Sequence, residues 1–310
     1  MIAPPPSVRV IGEAAALACL LLSSACGSSP APAKTPPGYD SLRHALEPLH
    51  SRMPPVAAGD WLAAHSEPGQ TFEQYLASAP PTANPARRVL YVVQIGDLSK
   101  EQDEAFAAVA DFLGRFYALP VRRLAPLPES VVPESARHES QWGVKQFRTG
   151  PILRDVLSPR VPPDAAGLLG FTATDLWPGE GWNFVFGQAT WSQRAGLFSF
   201  CRLFAGKWGA ERGLRRALAM STHEVGHLFG MRHCTEWLCL MNGCNSLEEL
   251  DRHPLWLCPD CLMKLSVASG ADKEKHCRGL AGFCKERGLS KETEFYEREA
   301  AVIAGYEQSR

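Results

Sequence analysis

His223-Glu224-Val225-Gly226-His227-Leu228-Phe229-Gly230-Met231-Arg232-His233 is the stretch on which the reading of this chain turns. On a helix, residues four apart are offset by about 40° and rise by about 6 Å, so His223 and His227 point the same way and can share one ion. Leu214, Leu218, Val225 and Leu228 form a stripe on roughly the opposite side, which turns the histidines toward a cleft and the stripe toward the core. Gly230 stands three residues after His227, where a helix that stops and turns sharply needs a residue tolerant of positive φ. That turn carries His233 back toward the other two histidines. Three neutral imidazoles leave one tetrahedral position for water, the arrangement of a catalytic rather than a structural zinc. Glu224 sits beside His223 but points off its axis, which makes it the candidate general base. It takes the proton of a water whose pKa the ion lowers toward about 7, while that water attacks a peptide carbonyl.

Immediately downstream come Cys234, Cys239, Met241 and then Cys258-Pro259-Asp260-Cys261. Two close cysteine pairs separated by a loop build a closed thiolate site, so a second, structural zinc is expected with all four sulfurs about 2.3 Å from it. The cofactor expectation is therefore two zinc ions per chain, one catalytic and one structural. Disulfides are the rival reading for an exported protein. Of the remaining cysteines, Cys277 and Cys284 either pair with each other or are buried free thiols, and Cys201 and Cys244 have no assigned role.

Upstream, Val89 to Ile95 is an unbroken apolar run that reads as a buried strand, and Lys100 to Leu119 carries Phe106, Val109, Phe112 and Leu113 at helical spacing. Pro120 ends that helix, and Val121 to Leu127 is a candidate second strand. Ala166 to Thr172, Phe184 to Gly187 and Gly196 to Leu203 read as further strands, followed by a helix from about Arg212. The order predicts an α/β (α+β) fold, a twisted mixed sheet backed by helices with an α-rich region after His233. The charged run from Lys285 to Glu299 reads as a solvated helical face. With 310 residues, 45% of them hydrophobic, the chain has enough material for one sizeable core or two lobes sharing a cleft. A net charge of -1 gives no reason to expect nucleic acid as a partner.

The first residues form a separate unit. Arg9, an apolar run from Ala14 to Leu22, and Ser23-Ser24-Ala25-Cys26 read as a secretory signal over 1–26, followed by a Pro/Ser/Ala-rich linker over 27–40. The small residue before Cys26 also matches a lipoprotein cleavage box, after which a lipidated Cys26 tethers the domain to a membrane. Glu13 abuts the run, and Ser23 stands where such boxes usually carry Leu. The apolar run is too short to span a bilayer. The expectation is export to the cell envelope, the alternative a cytoplasmic protein, and the membrane is reached only through the lipid.

With these residues in view, the sequence closely resembles the archaemetzincins, a metzincin family of zinc peptidases. The family's extended signature, HExxHxxGxxHCx4CxM followed by CxxC, is met by His223, Glu224, His227, Gly230, His233, Cys234, Cys239, Met241, Cys258 and Cys261. Asp175-Leu176-Trp177-Pro178, Trp182 to Ala189 and Asn242 to Pro254 are also similar to the family. Trp61 to His65 and Gln70-Thr71-Phe72 resemble the N-terminal extension of its longer members. The likeness covers roughly residues 60 to 270, and the leader is not part of the family pattern. The resemblance implies a metzincin-like zincin domain over 88–270, preceded by an N-terminal extension over 41–87 and followed by a helical tail over 271–310. It implies a sheet above the active-site helix, a small α-rich lobe below, and Met241 as the methionine turn beneath the metal. Substrate is expected along an edge strand, for which Leu197 to Leu203 is the candidate, an ordinary central strand being the other reading.

The function this supports is zinc-dependent hydrolysis of peptide bonds in a peptide or protein substrate by a monomer. By resemblance, the activity is aminopeptidase-like on small peptides. The rival functions are a catalytically weak zinc-binding scaffold module and an envelope lipoprotein whose metals serve stability alone. An open coordination position and a base favour the enzyme.

Overall fold

The structure, a computed structural model, describes residues 35–204 and 209–310. The leader, the start of the linker and Cys26 lie outside the described residues, and no described helix is long and apolar enough to cross a membrane.

Among the described residues eight strands form two sheets: β1 (Val89–Ile95), β2 (Val121–Arg123), β3 (Arg137–Glu139), β4 (Lys145–Arg148), β5 (Ala165–Thr172), β6 (Asp175–Trp177), β7 (Gly187–Thr190) and β8 (Ala195–Ser199). The larger sheet has the order β2-β1-β5-β8-β7, and the smaller β3-β4-β6. In the larger sheet β1 runs parallel to β2 and β5, and β5 parallel to β8. Only β7 opposes its neighbour. The helices are α1 (Tyr39–Leu46), α2 (Trp61–Ala64), α3 (Phe72–Ala77), α4 (Lys100–Tyr117), a single turn α5 (Thr149–Pro151), α6 (Gly209–Leu228), α7 (Leu247–Arg252), α8 (Pro259–Ser269), α9 (Lys273–Glu286) and α10 (Ser290–Gln308).

Apolar residues on both faces of β1 explain its unbroken run: Leu90 and Val92 join one core, Val89, Tyr91, Val93 and Ile95 the other. The first core holds the apolar face of α4, the helix α6 and the α-rich lobe. The second is closed by Ile152, Leu153, Val156 and Leu157 in a wide helical turn after α5. The first core also takes in Tyr39 and Phe72 from one end of the described chain and Phe295 and Ile303 from the other. The segments before β1 and after α8 thus share one interior with the sheet.

Two expectations change. Leu197 pairs with Gly170 on one side and Gln188 on the other, so the candidate edge strand is central. Every residue of β8 is buried, as a strand covered on both faces requires, whereas the half-polar Gly187–Thr190 segment forms the antiparallel edge. The charged run after Lys285 is not uniformly solvated either. Glu292 and Glu299 are buried, Glu292 ion-paired with Arg215 at 2.8 Å and Glu299 accepting from the Cys277 thiol at 3.2 Å. Their partners come from distant segments, which a local charge pattern does not reveal.

Candidate metal centre

Helix α6 delivers two of the three histidines and ends where the motif says it must. Gly230 has φ +75°, its N–H reaches the His227 carbonyl at 3.0 Å, and the Met231 N–H reaches Gly226 O at 3.1 Å. These paired bonds are a Schellman ending, which turns the chain sharply and leaves no helix-end carbonyl of that pair unmet. Leu218, Val225 and Leu228 enter the core as the stripe predicts, and Leu214 is partly buried. The opposite face is covered too: His223 and Glu224 are each only 4% exposed, Leu240 O lying against His223 and Gly187 of the edge strand against Glu224.

The three imidazoles share one hydrogen-bond logic. His223 Nδ1 lies 3.0 Å from Leu240 O, His227 Nδ1 2.7 Å from Met231 O, and His233 Nδ1 2.8 Å from the Glu67 carboxylate. An oxygen acceptor at each Nδ1 places the proton there and leaves the Nε2 lone pair free. The free nitrogens converge, His223 Nε2 and His227 Nε2 standing 2.9 Å apart, and donor atoms of all three rings lie within 4.8 Å of one another. Burial holds His227 down at about 4 and His223 well below the usual histidine range, so both rings are neutral at pH 7. Three imidazole donors facing one point are a donor set of zinc.

Glu224 lies outside this group. Burial pushes its carboxyl up to about 8, and its Oε2 has no hydrogen-bond partner among the described residues. A buried carboxyl with an idle oxygen is placed to handle a proton rather than to support the fold. The edge strand passes close over it: a Cβ built on Gly187 would come 2.6 Å from Glu224 Oε1. Met241 is fully buried with its sulfur against Gly226.

One wall is aromatic. The Trp61 ring stands edge-on to His233 at 5.1 Å, His65 stacks on Trp182 at 5.2 Å, and Trp61 lies 4.1 Å from His65. Trp61 is held in turn by Glu249, whose carboxylate accepts its backbone N–H at 2.9 Å.

Cys234, Cys239, Cys258 and Cys261 form a second, fully interior group, with sulfurs within 4.8 Å of one another. The described cysteines are all free, and Cys234 Sγ and Cys258 Sγ are 3.8 Å apart. That is about the edge of a sulfur tetrahedron of 2.3 Å radius, the zinc–thiolate distance. Backbone N–H groups of Met241 and Cys258 point at Cys239 Sγ at 3.4 and 3.3 Å, and that of Cys261 at Cys258 Sγ at 3.4 Å. Such donors favour thiolate over thiol. Cys277 and Cys284 sit seven residues apart on α9, separated by about 10 Å of helix rise, so they do not pair.

The model of peptidase family M54 matches residues 167–267, which contain both groups. Archaemetzincin-2 of Pongo abelii is 35% identical over 277 residues, covering 77% of this chain and 76% of the relative. The chain belongs to the archaemetzincin family. Archaemetzincin-2 of Homo sapiens is 35% identical over 267 residues, 74% of each chain. The crystal structure of archaemetzincin from Methanopyrus kandleri is similar with a TM-score of 0.47 and 26% identity, covering 59% of this chain and 96% of that one. As an archaemetzincin the chain is a zinc metallopeptidase acting on peptide or protein substrates.

Glu67 is the site residue that the sequence did not give away. It lies between the two family-like stretches Trp61–His65 and Gln70–Phe72, and it meets His233 across 166 residues of chain. The likeness of those flanking stretches to the family was the available signal.

Proposed function

We propose that His223, His227 and His233 hold a catalytic zinc, that Glu224 is the general base, and that the four cysteines hold a second, structural zinc. The observation that carries this reading is the convergence of three Nε2 lone pairs beside a buried carboxyl with an idle oxygen. When bound, zinc supplies a Lewis acid that polarises a carbonyl and acidifies a water. A positive charge in the site draws Glu224 back down toward its ionised form. Ionised, Glu224 accepts a proton from the attacking water and returns it to the departing amine, so that water and peptide become acid and amine. The edge strand β7 offers unpaired backbone N–H and C=O groups to an extended substrate, directly above Glu224. Trp61, His65 and Trp182 wall the same cleft beside His233.

The test is Glu224→Gln. Zinc at the histidines is retained and hydrolysis of a peptide library is lost, because the ligands are untouched and the proton acceptor is gone. Full activity in that variant would sink the assignment. The scaffold alternative predicts no chelator-sensitive hydrolysis by the zinc-loaded wild type. As to location, we propose that Cys26 becomes the lipidated first residue of the mature chain. Membrane fractionation of wild type against Cys26→Ser decides it, and a soluble protein beginning at Met1 overturns it.

A further inference from the structure

Two of the three histidines in the site are oriented by backbone carbonyls, from Leu240 and Met231. A carbonyl is neutral and comes with the chain. His233 is different, because its Nδ1 faces a carboxylate, 2.8 Å away, from a segment that precedes the sheet. That segment is fastened around the ligand loop at several points. Gln70 accepts the Arg232 N–H at 3.1 Å and donates to Gly230 O at 3.3 Å. The Lys264 ammonium donates to Gln70 O, and the Tyr75 hydroxyl donates to Phe229 O at 3.0 Å. Trp61 packs edge-on against His233 itself. Thr71 and Gln74 close a reciprocal capping box at the start of α3, which fixes the course of the chain between Gln70 and Tyr75.

We propose that Glu67 is the positioning residue of the third ligand: its carboxylate fixes the Nδ1–H tautomer of His233 and strengthens Nε2 as a donor. The inference rests on the three-histidine reading above. It makes the segment from Trp61 to Tyr75 a strap that holds the affinity of the catalytic site, and it separates Glu67 from the catalytic residues, since Glu67 touches neither substrate nor reacting atoms. A carboxylate behind a ligating histidine withdraws the Nδ1 proton partially and pushes electron density to Nε2, and loss of such a partner typically lowers metal affinity by about 10- to 100-fold. An amide in the same place still accepts the Nδ1–H bond but carries no charge.

The experiment is a competition titration of Zn2+ against a chelator of graded affinity, on full-length wild type, Glu67→Gln and Glu67→Ala. Each protein is first loaded with one equivalent, so that the cysteine group is filled and the histidine site is read alone. Glu67→Ala is expected to bind this second ion about 10- to 100-fold more weakly, and Glu67→Gln to fall between it and wild type. The first ion is held equally by all three, and the thermal midpoints of the one-ion forms agree. Wild-type and Glu67→Ala affinities within twofold of each other overturn the proposal. So does an equal loss in Gln and Ala variants together with a lowered midpoint, which marks Glu67 as a packing residue. Wild type that takes no second ion fails differently, because then the three-histidine reading itself falls.

Discussion

Glu224 and Gly187 meet face to face, the edge strand approaching so closely that a Cβ on Gly187 would stand 2.6 Å from the Glu224 carboxylate. Only hydrogen fits there. Gly187→Ala is expected to displace the Glu224 carboxylate or the strand by a fraction of an ångström to an ångström, and, with Glu224 as the proposed base, a misplacement of that size costs about 100-fold in rate. Zinc content stays at the wild-type level, because no ligand is touched. Steady-state kinetics beside metal analysis checks both halves, and wild-type kcat would show that Glu224 is not the group whose position matters.

The Schellman ending of α6 gives a second test. Gly230 adopts φ +75°, and a side chain there would also come within 3.3 Å of Pro80 and Pro81. Gly230→Ala is expected to destabilise the protein by about 1–2 kcal/mol from the left-handed conformation. For a chain of this size that is a fall of several degrees in Tm. Gly230→Asn, which tolerates this region better, falls less. Thermal unfolding of the three proteins that shows no order among them would remove the strain argument.

Loss of the second metal group has consequences beyond itself. Cys258 caps α8, and Cys234 directly follows His233, so an ion shared by the four sulfurs would tie the lobe to the histidine proposed as third ligand. Structural zinc contributes on the order of 10 kcal/mol, comparable to the stability of a whole domain. Cys258→Ser is therefore expected to lose at least one equivalent of zinc and to raise amide hydrogen exchange throughout the region after Met241. Thiol titration of denatured, chelated wild type should find all four cysteines reduced. Oxidised cysteines there would favour disulfides.

Acid stability follows from His276. Its ring is buried, its Nδ1 lies 2.8 Å from Phe116 O, and burial depresses its pKa to about 4, against the opposing charge of Glu299. Between about 6.5 and 4 the unfolded chain binds this proton more readily than the folded one, so stability falls as pH falls through that window and is complete above it. The full contribution is on the order of 3 kcal/mol. His276→Gln should flatten the pH dependence of the urea midpoint between 6.5 and 4 relative to wild type. An unchanged slope would mean that other groups dominate.

The metal motif, β1, α4 and β5 were legible because each is a local pattern: ligand spacing on a helix, an unbroken apolar run, apolar residues at helical period. The identity of the edge strand was not, since strand order depends on which strands find each other. The expected strand over Phe184 to Gly187 lies instead at Gly187–Thr190, and the polar residues of that segment, against the wholly buried Ala195–Ser199, separate edge β7 from central β8. Glu292 and Glu299 looked like solvent-facing charges until Arg215 and Cys277 were placed beside them. Glu67 was hidden for the same reason. A carboxylate acquires its meaning from its partner, and its partner lay 166 residues away.

That distance also sets a schedule. Ser51 and Met53 exchange backbone bonds with Leu238 and Glu236, and Tyr39 donates to Asp260. During synthesis the early segment leaves the ribosome long before any of these partners exists. At about 5–20 residues per second, the gap between Glu67 and Cys261 is on the order of ten seconds or more. A growing chain therefore carries no assembled hydrolytic centre, and the capacity to cut peptides cannot appear before the residues through Cys261 have been made.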